Sequence, residues 1–479
     1  MKTTCSCCCA AHVAMDRRRF LANATKAACG LGLAFAGLPE VFASEEVRRP
    51  RPEVTVRAVF VRPPGKYWLG WPGTSYDVEG HRRDYTTQLI ESGRRVGVNV
   101  IPNLEPLYSD QDVDKFVAQL KQTRPDGVVV TLLHIGQWPW VQKIAAAGIP
   151  TIVFSPIGTS FTGHVVGFSR QPGVYVVSSL ELAAVEYGLK MIQTASYLKQ
   201  CRVLLIRGAE RSDSVIDRLG INVRAIPRRA FSDLYDQMPL TDEVRDIAAD
   251  YGRRARKIVE PTAQDRLNAA KVYTTARKLL AQENATSLAM DCLGMVADRQ
   301  VPTPPCMAWS KLNDEGITAA CEADLFAAVS LMLVSHLFDQ PGFMQDPVAE
   351  TAQNLLVAAH CTCATKLNGF DKPSVPFILR SHSESDIGVS MQVLWEEGRK
   401  VTLVRFTGPD QVIVDSGTIV GNVQTPPAGG CRTSLEIRMD DVADARDVKG
   451  FHQVVFYGDH GKQVRDYCQL YGIQAISSA

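Results

Sequence analysis

Hydrophobic spacing divides the chain into two textures. Up to about residue 345, short apolar runs alternate with stretches in which apolar residues recur every three or four positions. The runs at 54–61, 98–102, 127–133 and 151–154 read as strands, and the spacing predicts helices over 81–97, 112–123, 140–147 and 181–198. A second cycle starts at 202–206, with a short helix expected at 214–219 and a strand at 222–226. Long helices are expected at 241–259 and 264–283, the second opened by Pro261-Thr262. A strand at 287–290 ends at Asp291, and an apolar helix is expected over 322–337. Strands alternating with helices imply parallel sheets covered on both faces.

From about Pro376 the chain breaks into short strands: 377–380, 388–395, 400–406, 411–420, 434–439 and 452–457, with a closing helix at 463–471. Turn residues separate them, the pattern of an antiparallel barrel or sandwich. The expected fold is α/β: two Rossmann-like parallel α/β domains (54–198 and 199–345) and a C-terminal antiparallel β-barrel-like domain (346–479).

Residues 1–43 carry a different message. Asp16-Arg17-Arg18-Arg19-Phe20-Leu21 precedes a mild apolar stretch, and Val41-Phe42-Ala43 offers small residues to a signal peptidase. This resembles a twin-arginine (Tat) export signal, followed by a charged, Pro-containing linker at 44–53. Met15 is an alternative start to Met1. Passage through the Tat machinery to a periplasmic or extracellular location is expected. Gly30, Gly32 and Gly37 imitate a dinucleotide fingerprint, but no strand precedes them.

Composition narrows the options. Lys plus Arg is 52 and Asp plus Glu 51, with 46% hydrophobic residues. Without residues 1–43 the balance is 47 to 49, so no basic surface for nucleic acid is expected. No uninterrupted apolar run approaches the roughly 18 residues of a membrane span. Eight cysteines follow the signal: Cys201, Cys292, Cys306, Cys321, Cys361, Cys363, Cys431 and Cys468. Export makes disulfides possible, but spacing reveals no pairing. Cys361-Thr362-Cys363 is too close for a zinc knuckle.

Four polar residues stand in apolar surroundings. Glu322 sits where the apolar helix is expected to open, with Asp324 beside it as a cap or supporting group. Asp346 lies in an expected apolar loop at 343–347, His360 ends an apolar run, and His452 heads a late strand. Taken singly, each has a structural explanation: helix-dipole complement, turn residue, buried imidazole, strand end. Together, two carboxylates and two imidazoles form a ligand set suited to Mn²⁺, Fe²⁺, Co²⁺ or Zn²⁺ rather than Ca²⁺. His134, Gln137 and Trp138 follow a buried strand, where open α/β sheets place ligands. Packing is the alternative role for Trp138 and Trp140.

The segments around Glu322, Phe343-Met344-Gln345-Asp346, Ala359-His360-Cys361 and Gly450-Phe451-His452-Gln453 resemble the metal-site region of the L-fucose and L-arabinose isomerase families. That resemblance implies metal ligation by Glu322, Asp346, His360 and His452, with Glu322 and Asp346 also acting as base and acid. It implies a divalent metal, foremost Mn²⁺, a monosaccharide substrate, an enediolate route between aldose and ketose, and a trimer or hexamer. Where the arabinose type has a Glu, this chain has Gln345, so Asp346 is expected to serve as the second carboxylate. An exported sugar-binding protein without catalysis and a metallohydrolase are the alternatives.

Overall fold

The computed structural model describes residues 47, 49–67, 71–424 and 430–479. The expected export signal and its two starts lie outside the described residues. The first sheet holds β1 (Val54–Val61), β2 (Val98–Pro102), β3 (Gly127–Leu132), β4 (Thr151–Pro156) and β5 (Val174–Ser179). All pair in parallel, in the order β2-β1-β3-β4-β5. β3 and β4 are buried throughout, which is why they read as continuous apolar runs. Along β1, Val56, Ala58 and Phe60 join one core with helices Val78–Arg95 and Val185–Gln200. Val59 and Val61 face the opposite core with helices Asp110–Thr123 and Trp138–Ala145.

The second sheet has the order β11-β10-β6-β8-β7. Its strands are β6 (Arg202–Ile206), β7 (Ser212–Ile216), β8 (Ile221–Ile226), β10 (Ser287–Met290) and β11 (Ala319–Ala320); β9 (Lys257–Ile258) pairs elsewhere. Two expectations fail here. The short helix expected at 214–219 is instead the edge strand β7, antiparallel to β8. So brief and polar a segment carries too few apolar positions to fix a period. The helix expected to reach 259 ends at Arg254, because β9 leaves it to pair with β14.

The helix expected at 322–337 runs Leu325–Phe338, with Asp324 as its N-cap. It is apolar on nearly every face because it is wedged between the second sheet and the last domain. That domain contains β12 (Phe343–Glu350), β13 (Leu355–His360), β14 (Phe377–Arg380), β15 (Ser390–Val393), β16 (Lys400–Gly408), β17 (Gln411–Asn422), β18 (Thr433–Met439), β19 (Gln453–Tyr457) and β20 (Gln474–Ile476). The sheet closes on itself: β12-β13-β18-β17-β16-β19 and back to β12, every step antiparallel. The expected α/β class with a C-terminal antiparallel barrel therefore holds. The loop expected at 343–347 is not a loop but the start of β12. Pro347 disguised it, since proline rarely occupies a paired strand.

No helix among the described residues is long and apolar enough to cross a membrane. One buried contact fastens the second sheet to the site it serves. Trp309, fully buried, donates Nε1–H to the carbonyl of Ala320 at 3.2 Å, at the end of β11. Trp309→Ala is expected to cost about 3–5 kcal/mol of unfolding free energy, read by urea denaturation.

Candidate metal centre

The carboxyl ends of β10 and β11 face one rim of the barrel, and the four acidic and imidazole side chains meet there. Glu322 lies two residues past the end of β11. Asp346 lies on β12, His360 ends β13 and His452 immediately precedes β19. One donor atom from each of Glu322, Asp346, His360 and His452 lies within 4.8 Å of the other three. His452 Nε2 is 3.1 Å from Asp346 Oδ1 and 3.4 Å from Glu322 Oε2. His360 Nε2 is 3.6 Å from Glu322 Oε1.

Strand geometry answers the question raised by Gln345. Successive side chains in β12 point to opposite sides. Gln345 is buried and donates to Gln453 Oε1 at 3.0 Å, in register with it across β12 and β19. Asp346, one residue on, turns to the cluster. Backbone conformation is equally specific: Glu322, Ala323 and His452 all adopt positive φ, at 56°, 52° and 55°. Non-glycine residues rarely hold this conformation, and it concentrates at functional sites. The expected helix start at Glu322 is thus replaced by a left-handed turn that swings its carboxylate toward the barrel.

Asp324 supports the cluster from behind. Its Oδ2 accepts from His452 Nδ1 at 2.8 Å, and Arg405 grips both its oxygens at 3.0 and 2.9 Å. With the Nδ1 proton committed to Asp324, a neutral His452 presents its Nε2 lone pair to the cluster. His360 is wired the other way. The Cys361 and Thr362 N–H groups donate to its Nδ1 at 3.0 and 3.4 Å. A neutral His360 therefore keeps its proton on Nε2, facing Glu322.

Electrostatics follow from these contacts. The His360 and His452 imidazoles hold Glu322 down at about 2. Burial opposes charge on His452, but the carboxylates of Asp324, Asp346 and Glu322 outweigh it and push it up to about 10. Burial likewise opposes protonation of His360, and Glu322 outweighs it, raising its value. Burial works against the Asp324 carboxylate, but His452 and Arg405 hold it well below the ordinary range.

The donor set fits a divalent cation. Asp346 Oδ1, His360 Nε2 and His452 Nε2 are buried and make no hydrogen bond, although they converge. Buried polar atoms without partners are costly; a cation between the lone pairs of Glu322, Asp346 and His452 would satisfy the Asp346 and His452 atoms, while the His360 Nε2 proton points at Glu322 Oε1, 3.6 Å away, in place of the ligand role expected for that ring. The adjoining small cavity, about 30 Å³, is also lined by Cys292, Cys306, Cys361, His382, Glu384 and Cys431. Sequence spacing had not singled out His382, Glu384 or Arg405. Only Arg405 carried a signal, as a lone charge within the apolar strand β16.

His134, Gln137 and Trp138 are not brought to this cluster; they line no part of its cavity. They follow β3 in the first sheet, where His134 Nδ1 lies 3.0 Å from Gln137 Oε1. Trp138 is buried, stacked on His164 and edge-on to Phe168.

No family model matches the chain. A sulfoquinovose isomerase of Clostridium sp. (strain MSTE9) is 29% identical over 167 residues, 33% of this chain and 36% of that protein. The chain thus matches only about a third of that relative's length. A sulfoquinovose isomerase of Alkalicoccus urumqiensis is 22% identical over 417 residues, 78% of this chain and 90% of that protein. These matches relate the chain, at low identity, to proteins named as sugar isomerases. Two solved solute-binding proteins of ABC transporters align with 60% of the chain. One, from Burkholderia multivorans, is 11% identical with a TM-score of 0.18 over 95% of its length. The other, from Actinobacillus succinogenes 130z with bound D-allose, is 12% identical with a TM-score of 0.17 over 92%. Scores this low carry no argument about fold or function.

Two outcomes follow from the wiring. Asp324→Asn is expected to weaken Mn²⁺ or Co²⁺ affinity by about 10–100-fold in a chelator competition. The pH response of metal-free protein has a definite sign. The raised His452 value stabilises the fold fully below its unfolded value of 6.5, and that contribution is lost as pH rises through about 10. Depressed Glu322 contributes above its ordinary 4.5, and its share is lost as pH falls toward about 2. Thermal melts in EDTA should therefore fall from pH 6.5 to 10, and less so in His452→Gln.

Proposed function

We propose that this chain is a metal-dependent aldose–ketose isomerase of the L-fucose/L-arabinose isomerase type, acting on a monosaccharide. The observation that carries the reading is the cluster itself: Glu322, Asp346, His360 and His452 converge, with unpaired buried donor atoms, at the carboxyl ends of the second sheet. The relatives named sulfoquinovose isomerase support it and make sulfoquinovose the first sugar to test.

Isomerisation moves one proton between adjacent carbons and one between their oxygens, with no net change in atoms or electrons. Glu322, ionised at neutral pH, takes the proton from C2 and returns it to C1. His360 supplies its Nε2 proton to O1 while Asp346 accepts the proton of O2. Transfer from Asp346 to His360 restores both. Glu322, Asp346 and His452 would hold a divalent cation, most simply Mn²⁺, which would supply Lewis acidity to the reaction when bound.

His134 and Gln137 stay in the proposal as sugar contacts reaching the cluster of a neighbouring subunit in a trimer or hexamer, with the expected third contact, buried Trp138, packed behind them against His164 and Phe168. Tat export to the periplasm or beyond belongs to the same reading.

The test is interconversion of sulfoquinovose and a panel of aldoses and ketoses by Mn²⁺-loaded protein in D₂O. Glu322→Gln should lower turnover by about 10²–10⁴-fold, with deuterium entering C1 of the ketose in the parent protein. His360→Gln should lose turnover while keeping its cation, and His452→Gln should lose the cation. Metal-loaded protein that binds a sugar but converts none would defeat the isomerase reading in favour of a binding protein.

A further inference from the structure

The wall of the cavity beside the cluster carries Cys292, Cys306, Cys321, Cys361 and Cys431. Five of the eight cysteines among the described residues thus share one small space, all with free thiols. The proposed isomerisation uses none of them. On that wall they are neighbours in pairs, Cys292 beside Cys321 and Cys361 beside Cys431, while the Cys321 and Cys361 thiols bond the hydroxyls of Thr362 and Ser383, each at 3.2 Å. Cys306 lies near both, against Thr362 and Ser390.

Pairs do not make a thiolate metal cage, which needs three or four sulfurs converging. Among the described residues, the cluster of Glu322, Asp346, His360 and His452 is the one group of three or more such side chains with donor atoms within 4.8 Å of one another. Paired thiols are instead the starting point for a disulfide. The two pairs differ in access: Cys292 and Cys321 are both buried, whereas Cys431 is half-buried. Cys361 Sγ is steadied by Ser383 Oγ at 3.2 Å and by the backbone N–H of Arg432, next to Cys431.

We propose that Cys361 and Cys431 are a site of reversible oxidative modification, forming a disulfide that disables the adjacent cluster. The oxidant is a low-molecular-weight disulfide, RSSR. The Cys431 sulfur attacks it, forming a mixed disulfide and releasing RSH, which carries off the Cys431 proton. The Cys361 sulfur then attacks Cys431 Sγ and breaks the mixed disulfide. The second RS group leaves with the Cys361 proton. Two thiols lose two electrons and two protons, and RSSR becomes two RSH.

The link acts on both sides of the cluster. The Cys361 N–H is the group that donates to His360 Nδ1. Cys431 lies close enough to Asp346 to feel its charge. A bonded sulfur pair sits at about 2.0 Å, well inside the reach of a thiol hydrogen bond, so closing it pulls both segments together. His360 and Asp346 then lose their common focus. This proposal requires the cluster to hold a cation, but not that the protein be an isomerase.

Purified protein would be treated with oxidised glutathione, digested without reduction and mapped by mass spectrometry, with Mn²⁺ affinity measured before, after and following dithiothreitol. The expected result is a Cys361–Cys431 peptide pair and a fall in Mn²⁺ affinity of about tenfold or more, reversed by dithiothreitol. Cys431→Ser should bind Mn²⁺ like the parent and show no response to the oxidant; Cys431→Ala replaces it if the serine variant does not fold. Linkage at Cys292–Cys321 instead, no linkage, or linkage with unchanged affinity would each overturn the proposal. Reduced parent protein that binds no Mn²⁺ would also overturn the control of metal binding, and would count separately against the proposed function; the peptide map reads the disulfide whatever that result.

Discussion

The carboxylate of Asp324 is the joint on which the candidate site depends. One of its oxygens accepts from the Ala327 N–H and starts the helix Leu325–Phe338. The other holds His452 Nδ1 at 2.8 Å, and Arg405 of β16 closes on both. A single side chain thus ties the second sheet, the buried helix and two strands of the barrel to one imidazole. A buried charge without such partners would be strongly unfavourable, so the three contacts stand or fall together. That mutual dependence gives the cluster a fixed geometry before any ligand arrives.

Strain surrounds the same joint. Glu322, Ala323 and His452 hold left-handed backbone conformations, each costing on the order of 1–3 kcal/mol. The offset comes from the packing around them. Trp309 anchors the end of β11 on one side, and the closed barrel fixes β12, β13 and β19 on the other. Closure matters because an open sheet would let β12 slip. A slip of one residue would exchange Gln345 for Asp346 at the cluster.

The two imidazoles of the cluster look alike in sequence and differ in bonding. His452 gives its Nδ1 proton to a carboxylate, whereas His360 receives backbone protons at Nδ1. One is prepared to offer a lone pair and the other a proton. The division requires no difference in residue type, only a different partner behind each ring. The sulfur pairs on the cavity wall extend the theme, since each cysteine acquires its neighbour from a segment distant in the sequence.

Periodicity alone determined the class of the fold, because strand burial and helical amphipathicity are written locally. β1, β3 and the helix Ala263–Gln282 were readable for that reason. β7 was misread because an exposed edge strand has no apolar face to betray it, and β12 because its proline interrupts the pattern. The identity of Glu322, Asp346, His360 and His452 as candidates came from residue type and a family resemblance. Their convergence did not, since they are separated by up to 130 residues and belong to different strands. Only the tertiary structure decided that Asp346 rather than Gln345 faces the cluster, that Asp324 and Arg405 stand behind His452, and that His134, Gln137 and Trp138 lie apart from it. Those outcomes depend on register, barrel closure and backbone handedness, which arise from contacts between distant segments and leave no mark on local spacing.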